Sequence, residues 1–210
     1  MRDKAVEAGG VSAQAEALHR LLAGRRTVHR FLPAGAGDAA ALRAAAERAV
    51  RAACMAPNHK MTQPWRFHLL GPKTAERVCV LNAERAAEDV RREKDAEAAR
   101  AAFEDKLAKW RAFPGWMVLT CRRSDDALRA REDYAACCCA AQNFMLALWA
   151  EGIGSKWSTN GLIREPRLLE LLGIDGEREE IVGMFWYGRF ADAPRAPERA
   201  ALAAVVVEHG

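Results

Sequence analysis

Between Glu132 and Glu151 the chain carries a helical pattern whose apolar positions are mostly small. Tyr134, Cys138, Ala141, Met145 and Leu148 recur at the spacing of one helix face. Small residues let neighbouring elements approach closely, so this helix is expected in the middle of a domain or at a subunit interface. Gly152 ends it. Gly154-Ser155-Lys156-Trp157-Ser158-Thr159-Asn160-Gly161 then reads as a glycine turn with backbone N–H groups open to an acceptor-rich ring or a phosphate.

The other elements are arranged around that helix. Ser12 caps a first helix running to Gly24, with Leu18, Leu21 and Leu22 as its apolar side. Asp38 caps a second, which ends at Cys54 and faces inward through Leu42, Ala46, Ala49, Val50 and Ala53. Strands are expected at Trp65–Leu70, Trp116–Cys121 and Ile181–Tyr187, and a short helix from Pro166 to Leu172. From about 74 to 111 the chain is helical and densely charged: 16 of the 28 residues from Glu84 to Arg111 are Asp, Glu, Lys or Arg. With both signs mixed, it reads as a solvated excursion or as a cover over a cleft. The apolar tail Leu202–Val207 is a candidate edge strand, here or on a partner chain. Helices outnumber and separate the strands, which predicts an α+β, three-layer arrangement with a small mixed sheet.

The 210 residues suit one domain over 12–210 behind a loose leader at 1–11, and can bury a core without disulfides or metal. No apolar run is long enough to span a membrane. The net charge of +4 is spread out, which argues against nucleic acid. Of six cysteines, Cys137, Cys138 and Cys139 are adjacent, so they read as packing residues rather than staples or metal ligands. With no signal-peptide pattern at the N-terminus, a reducing cytoplasm is the expected location. GK[ST] and GxGxxG phosphate loops are absent, as is a GxSxG nucleophile elbow.

Three segments carry candidate chemistry. Arg25 and Thr27 share one side of an extended stretch and, with Arg26, suit a phosphate or a solvated basic turn. Asn58 and Gln63, in a loop with His59 and Lys60, can each donate and accept, as the edge of a flat heteroaromatic ring requires. The third is Lys156 to Thr159, where Trp157 is either ligand contact or core. His59 has no second ligand at metal-binding spacing.

RRTVHRF after the first helix, APNHKMTQPWRF before the first strand, the small-residue helix running into GIGSKWSTNGL, and IVGMFWYG near the C-terminus form an ordered set. It resembles the FMN-dependent nitroreductase family over residues 15–207, with a loop most like that of the compact YdjA-type NAD(P)H nitroreductases. The resemblance implies an intertwined homodimer with FMN at the subunit interface and no membrane or nucleic-acid partner. It implies Arg25, Arg26 and Thr27 at the FMN phosphate and ribityl chain, and His59 and Gln63 near the flavin. Trp157, Ser158 and Thr159 match its flavin-contacting stretch, and Arg195, or else Arg189, a basic residue after the last strand. Lys156, or Lys60, would stabilise negative charge on the reduced ring. NADH or NADPH would be the reductant, and a nitroaromatic, quinone or enone the acceptor, in ping-pong order. A flavin-storing or regulatory protein without turnover is the alternative. Many members carry Ser-x-x-Asn-x-Gln-Pro where this chain has Asn58 to Pro64, so the family's ordinary nitroaromatic contacts are not expected unchanged.

Overall fold

The computed structural model describes residues 11–33, 35 and 38–209. Apart from Val11, the expected leader lies outside them. Helix α1, Ala13–Gly24, begins where the Ser12 hydroxyl accepts the Ala15 N–H at 3.2 Å. Its leucine side does not turn inward: Leu18 and Leu22 are exposed, and α1 lies against the long helix, with Gly24 close to Trp149. Helix α2, Asp38–Ala53, buries Leu42, Ala45, Ala46, Ala49 and Ala53 as its pattern predicts. Asp38 stands inside its first turn, where its carboxylate accepts the Gly35 N–H at 2.7 Å.

Four strands form the sheet: β1 Trp65–Leu69, β2 Gly115–Arg122, β3 Gly154–Ser158 and β4 Glu179–Gly188. Their order is β1-β2-β4-β3, with every ladder antiparallel. An isolated parallel bridge between Thr27 and Ser155 makes the sheet mixed. Strand β3 replaces the glycine turn expected from the sequence. The C-terminal tail instead forms a 3-10 turn at Leu202–Ala204 rather than a strand of this chain, with Leu202, Val205, Val206 and Val207 exposed.

The charged stretch is two helices, α3 Pro72–Arg91 and α4 Ala96–Arg111, not one. Asp95 caps the second, accepting the Ala98 N–H at 2.8 Å. Its outer pairs, such as Arg100–Glu104, are exposed and contribute little. The inner side is core: Val78, Cys79, Leu81 and Trp110 pack with Trp116, Val118, Met184 and Trp186, joined by Leu168 of α6, Pro166–Leu172. The excursion is therefore one of three layers. Burial there pushes the Cys79 thiol up to about 11.

Helix α5, Ala127–Ala150, forms the opposite layer with α2. It starts five residues before the expected Glu132, because Asp126 caps it through the Arg129 N–H at 2.8 Å. Its buried side runs through Asp133, Cys137, Ala140, Ala141, Phe144, Met145 and Leu148. Tyr134 is exposed and Cys138 half-buried. The first turns are thus rotated by one position, about 100°, from the expected stripe. Phe144 meets Phe185 and Tyr187 of β4 edge-on, at 5.9 and 6.0 Å.

All six cysteines are free. Among the described residues no cluster suits a metal ion, and no helix is long and apolar enough to cross a membrane.

Where β1, β2 and β4 meet, His68 lies 3.3 Å from the Thr120 hydroxyl and 3.8 Å from Glu179. Burial pulls the His68 pKa below its ordinary 6.5; Glu179 opposes this, and Arg66 adds to it. Because the folded value is lowered, the unfolded chain binds this proton more readily, and stability falls as pH drops through 6.5. Thermal midpoints measured from pH 7.5 to 5.5 should decline, and the slope should be shallower in His68→Gln. An equal slope in both proteins would refute this.

Candidate functional site

The arginine segment continues from the end of α1 along the outer edge of β3. The Val28 N–H donates to the Ser155 carbonyl at 3.0 Å, and the Leu32 N–H to the Arg189 carbonyl at 2.8 Å. Gly154 permits this approach, since a Cβ there would lie 2.5 Å from the Val28 side chain. Arg25, Arg26 and Thr27 are thereby held beside β3.

Arg26 turns back to donate to the Ala23 carbonyl at 2.6 Å. Arg25 is half-buried; burial, then Arg199, then Arg26 pull its pKa down. Among the described residues no carboxylate forms an ion pair with Arg25, Arg26 or Arg199. Concentrated cationic charge of this kind suits an anion. Arg199 was not singled out in the sequence. Arg195 is exposed in the same coil, and Arg189 lies 3.9 Å from Asp38.

Alternation along β3 separates its side chains. Trp157 stacks on Phe185 at 5.4 Å and donates to the Val182 carbonyl at 3.4 Å, on the α5 side. Lys156 lies on the other side, its Nζ 5.1 Å from the centre of the Trp186 ring. Burial, and then Lys109, lower its pKa. The Ser158 hydroxyl accepts from the Asn160 amide at 3.2 Å, and Thr159 is exposed. Because the Ser155 carbonyl faces Val28, period two turns the Trp157 N–H and carbonyl toward the same open edge, beyond Thr27.

The asparagine-histidine loop lies elsewhere. His59–Met61 is a single 3-10 turn, and Lys60, Met61 and Gln63 have φ of 50°, 54° and 43°. Asn58 is occupied within the loop: its oxygen accepts the Gln63 N–H at 3.0 Å and its amide donates to the Ala56 carbonyl at 3.3 Å. Thr62 donates to buried Asp133 at 2.6 Å. His59, Lys60 and Gln63 are exposed.

The loop feeds β1, one edge of the sheet, whereas Arg25–Thr27 and Trp157–Thr159 border β3, the other. Three strand spacings, about 14 Å, separate the edges. One chain therefore gathers the arginines with β3 and leaves His59 and Gln63 apart. Neither larger cavity includes any of the expected site residues. One, of 410 Å³, lies between α2, α3 and the start of β2. The other, a polar cleft of 720 Å³, lies beside Arg66, Arg122 and Glu179.

A model of the nitroreductase family matches residues 22–189. The chain belongs to the nitroreductase family. "Putative NAD(P)H nitroreductase YfhC" of Bacillus subtilis is 23% identical over 89% of this chain and 91% of its own length. "Putative NAD(P)H nitroreductase YdjA" of Escherichia coli is 27% identical over 80% of this chain and 85% of its own. The match is thus to the family, and no single branch stands out. The FMN-dependent nitroreductase NfnB of Mycobacterium smegmatis, solved with NADPH, shares the fold at a TM-score of 0.68. It is 19% identical, with 93% of this chain and 99% of that one covered.

Proposed function

We propose that this nitroreductase-family protein is an FMN-dependent oxidoreductase that transfers hydride from NADH or NADPH to an electron-poor acceptor such as a nitroaromatic, quinone or enone, in ping-pong order. The observation that carries the reading is the group formed by Arg25, Arg26 and Arg199, which has no carboxylate partner among the described residues and fits a flavin phosphate. The open N–H and carbonyl of Trp157, on the same edge of the sheet, suit the polar rim of a flavin.

In this reading Arg25 and Arg199 bind the phosphate, and Arg26 and Thr27 fix the segment that carries them. Trp157, Ser158 and Thr159 line the ring, with Arg195 in the same coil as Arg199. Lys156 lies on the opposite side of β3 from Trp157, and Lys60 is its rival for stabilising negative charge on the reduced ring. Bound FMN supplies the hydride chemistry, and the protein holds, orients and shields it.

Because His59 and Gln63 border the opposite edge of the sheet, they serve the flavin of a second copy, which makes the working unit a homodimer. The exposed leucines of α1 and the apolar tail provide surface for that assembly. The asparagine-histidine loop is the feature that supports the compact YdjA-type branch within the family, and six free thiols suit the cytoplasm.

The purified protein should be yellow, or become so when FMN is added, and should bleach anaerobically with NADH or NADPH. Absence of flavin binding would refute the proposal. Binding without bleaching by either nucleotide would favour a flavin-storing protein.

A further inference from the structure

Three left-handed residues other than glycine within four positions are a strained arrangement for a loop. Strain of this kind persists only where surrounding contacts over-determine it. Two side-chain contacts do so here. Asn58 closes the loop from within by accepting the Gln63 N–H. The other contact comes from a different layer: Thr62, between the strained residues, donates to Asp133 of α5.

Asp133 is 4% exposed and stands among Ala136, Cys137 and Ala140 on the buried side of α5. Thr62 is its only side-chain hydrogen-bond partner among the described residues. A carboxylate in such a place carries a desolvation cost, and a hydrogen bond to the charged form offsets it.

We infer that Asp133 is a positioning residue. Through Thr62 it locks the loop 58–63 in its left-handed form and so fixes the directions in which His59, Lys60 and Gln63 project. The inference rests on the assignment of that loop to the flavin site. Asp133 itself touches no ligand. Its effect reaches the site as preorganisation: a loop already held in its binding shape loses less conformational freedom when the flavin arrives.

The test uses full-length protein with FMN, followed by flavin fluorescence. Wild-type binding is measured first, and failure at that step counts against the proposed function rather than against this inference. Thr62→Val removes the donor at nearly constant volume and is expected to weaken FMN binding about tenfold, with some fall in the thermal midpoint of the flavin-free protein because the buried Asp133 carboxylate loses its partner. Thr62→Ser should restore affinity. Asp133→Ala should weaken binding similarly, and the double variant should be no worse than either single one, as for two residues acting through one bond. If Asp133→Ala does not fold, the Thr62 pair decides alone. Unchanged affinity in Thr62→Val would overturn the inference. So would a drop in thermal midpoint at wild-type affinity, or a failure of serine to rescue.

Discussion

Replacing Gly183 with alanine should destabilise the protein by about 1–3 kcal/mol, the usual range for forcing an atom into a filled site. A Cβ at this position would lie 2.0 Å from the Trp157 indole nitrogen and 2.5 Å from the neighbouring ring carbon. The indole covers Gly183 because it stacks on Phe185 and donates to the Val182 carbonyl. A β-bulge between Leu119 and Thr120 accompanies this, shifting the β2–β4 register where Val182 and Gly183 follow Ile181. The alanine methyl would push the ring off Phe185 and loosen β3, the edge that also carries the Thr27 bridge. The urea midpoint should fall, and FMN retention with it. Trp157→Leu in the Gly183→Ala background should recover part of the stability, because the smaller side chain can move aside. A Gly183→Ala protein with a wild-type midpoint would show that the ring has room to leave.

Strand β3 is also where the sequence was least legible. Gly-Ser-Lys-Trp-Ser has neither the β-branched residues nor the clean alternation that marks a strand. It is extended because β4 pairs with one side of its backbone and the arginine segment covers part of the other. Both partners are distant in sequence. By contrast, Trp116–Cys121 was legible because it is buried on both faces and therefore apolar throughout. Helix α5 was legible in position but rotated in its first turns, because Asp133 faces inward where the apolar pattern favours Tyr134. An acid on the buried side one turn before Cys137 was the available signal for that error and for the contact with Thr62. The motif order pointed to the family and to the arginine pair. It did not point to Arg199, which lies in an irregular coil where no periodicity marks one arginine over another. Nor did it separate the two halves of the proposed site, since strand order is set by the paired backbone and only the structure reveals it.

Arg25→Ala should weaken FMN binding by about tenfold to a hundredfold, the scale of one charge-assisted hydrogen bond to a phosphate. The effect on the flavin-free protein should have the opposite sign. Burial and the Arg199 and Arg26 charges disfavour a charged Arg25 in the fold, and no carboxylate among the described residues offsets them. Removing it therefore relieves repulsion, and the apoprotein should melt at the same temperature or slightly higher. With saturating FMN the order reverses, because stabilisation by a ligand follows its affinity. Arg199→Ala should behave in the same way but more weakly, since it lies in an exposed coil. Riboflavin, which lacks the phosphate, separates this reading from a general loss of shape: its affinity should be equal in wild type and Arg25→Ala. Raising the salt concentration should narrow the difference in FMN affinity between the two proteins. If riboflavin and FMN binding fall together, Arg25 supports the ring or the fold. If neither falls, the arginine group is not the phosphate site, and the anion it suits is another one.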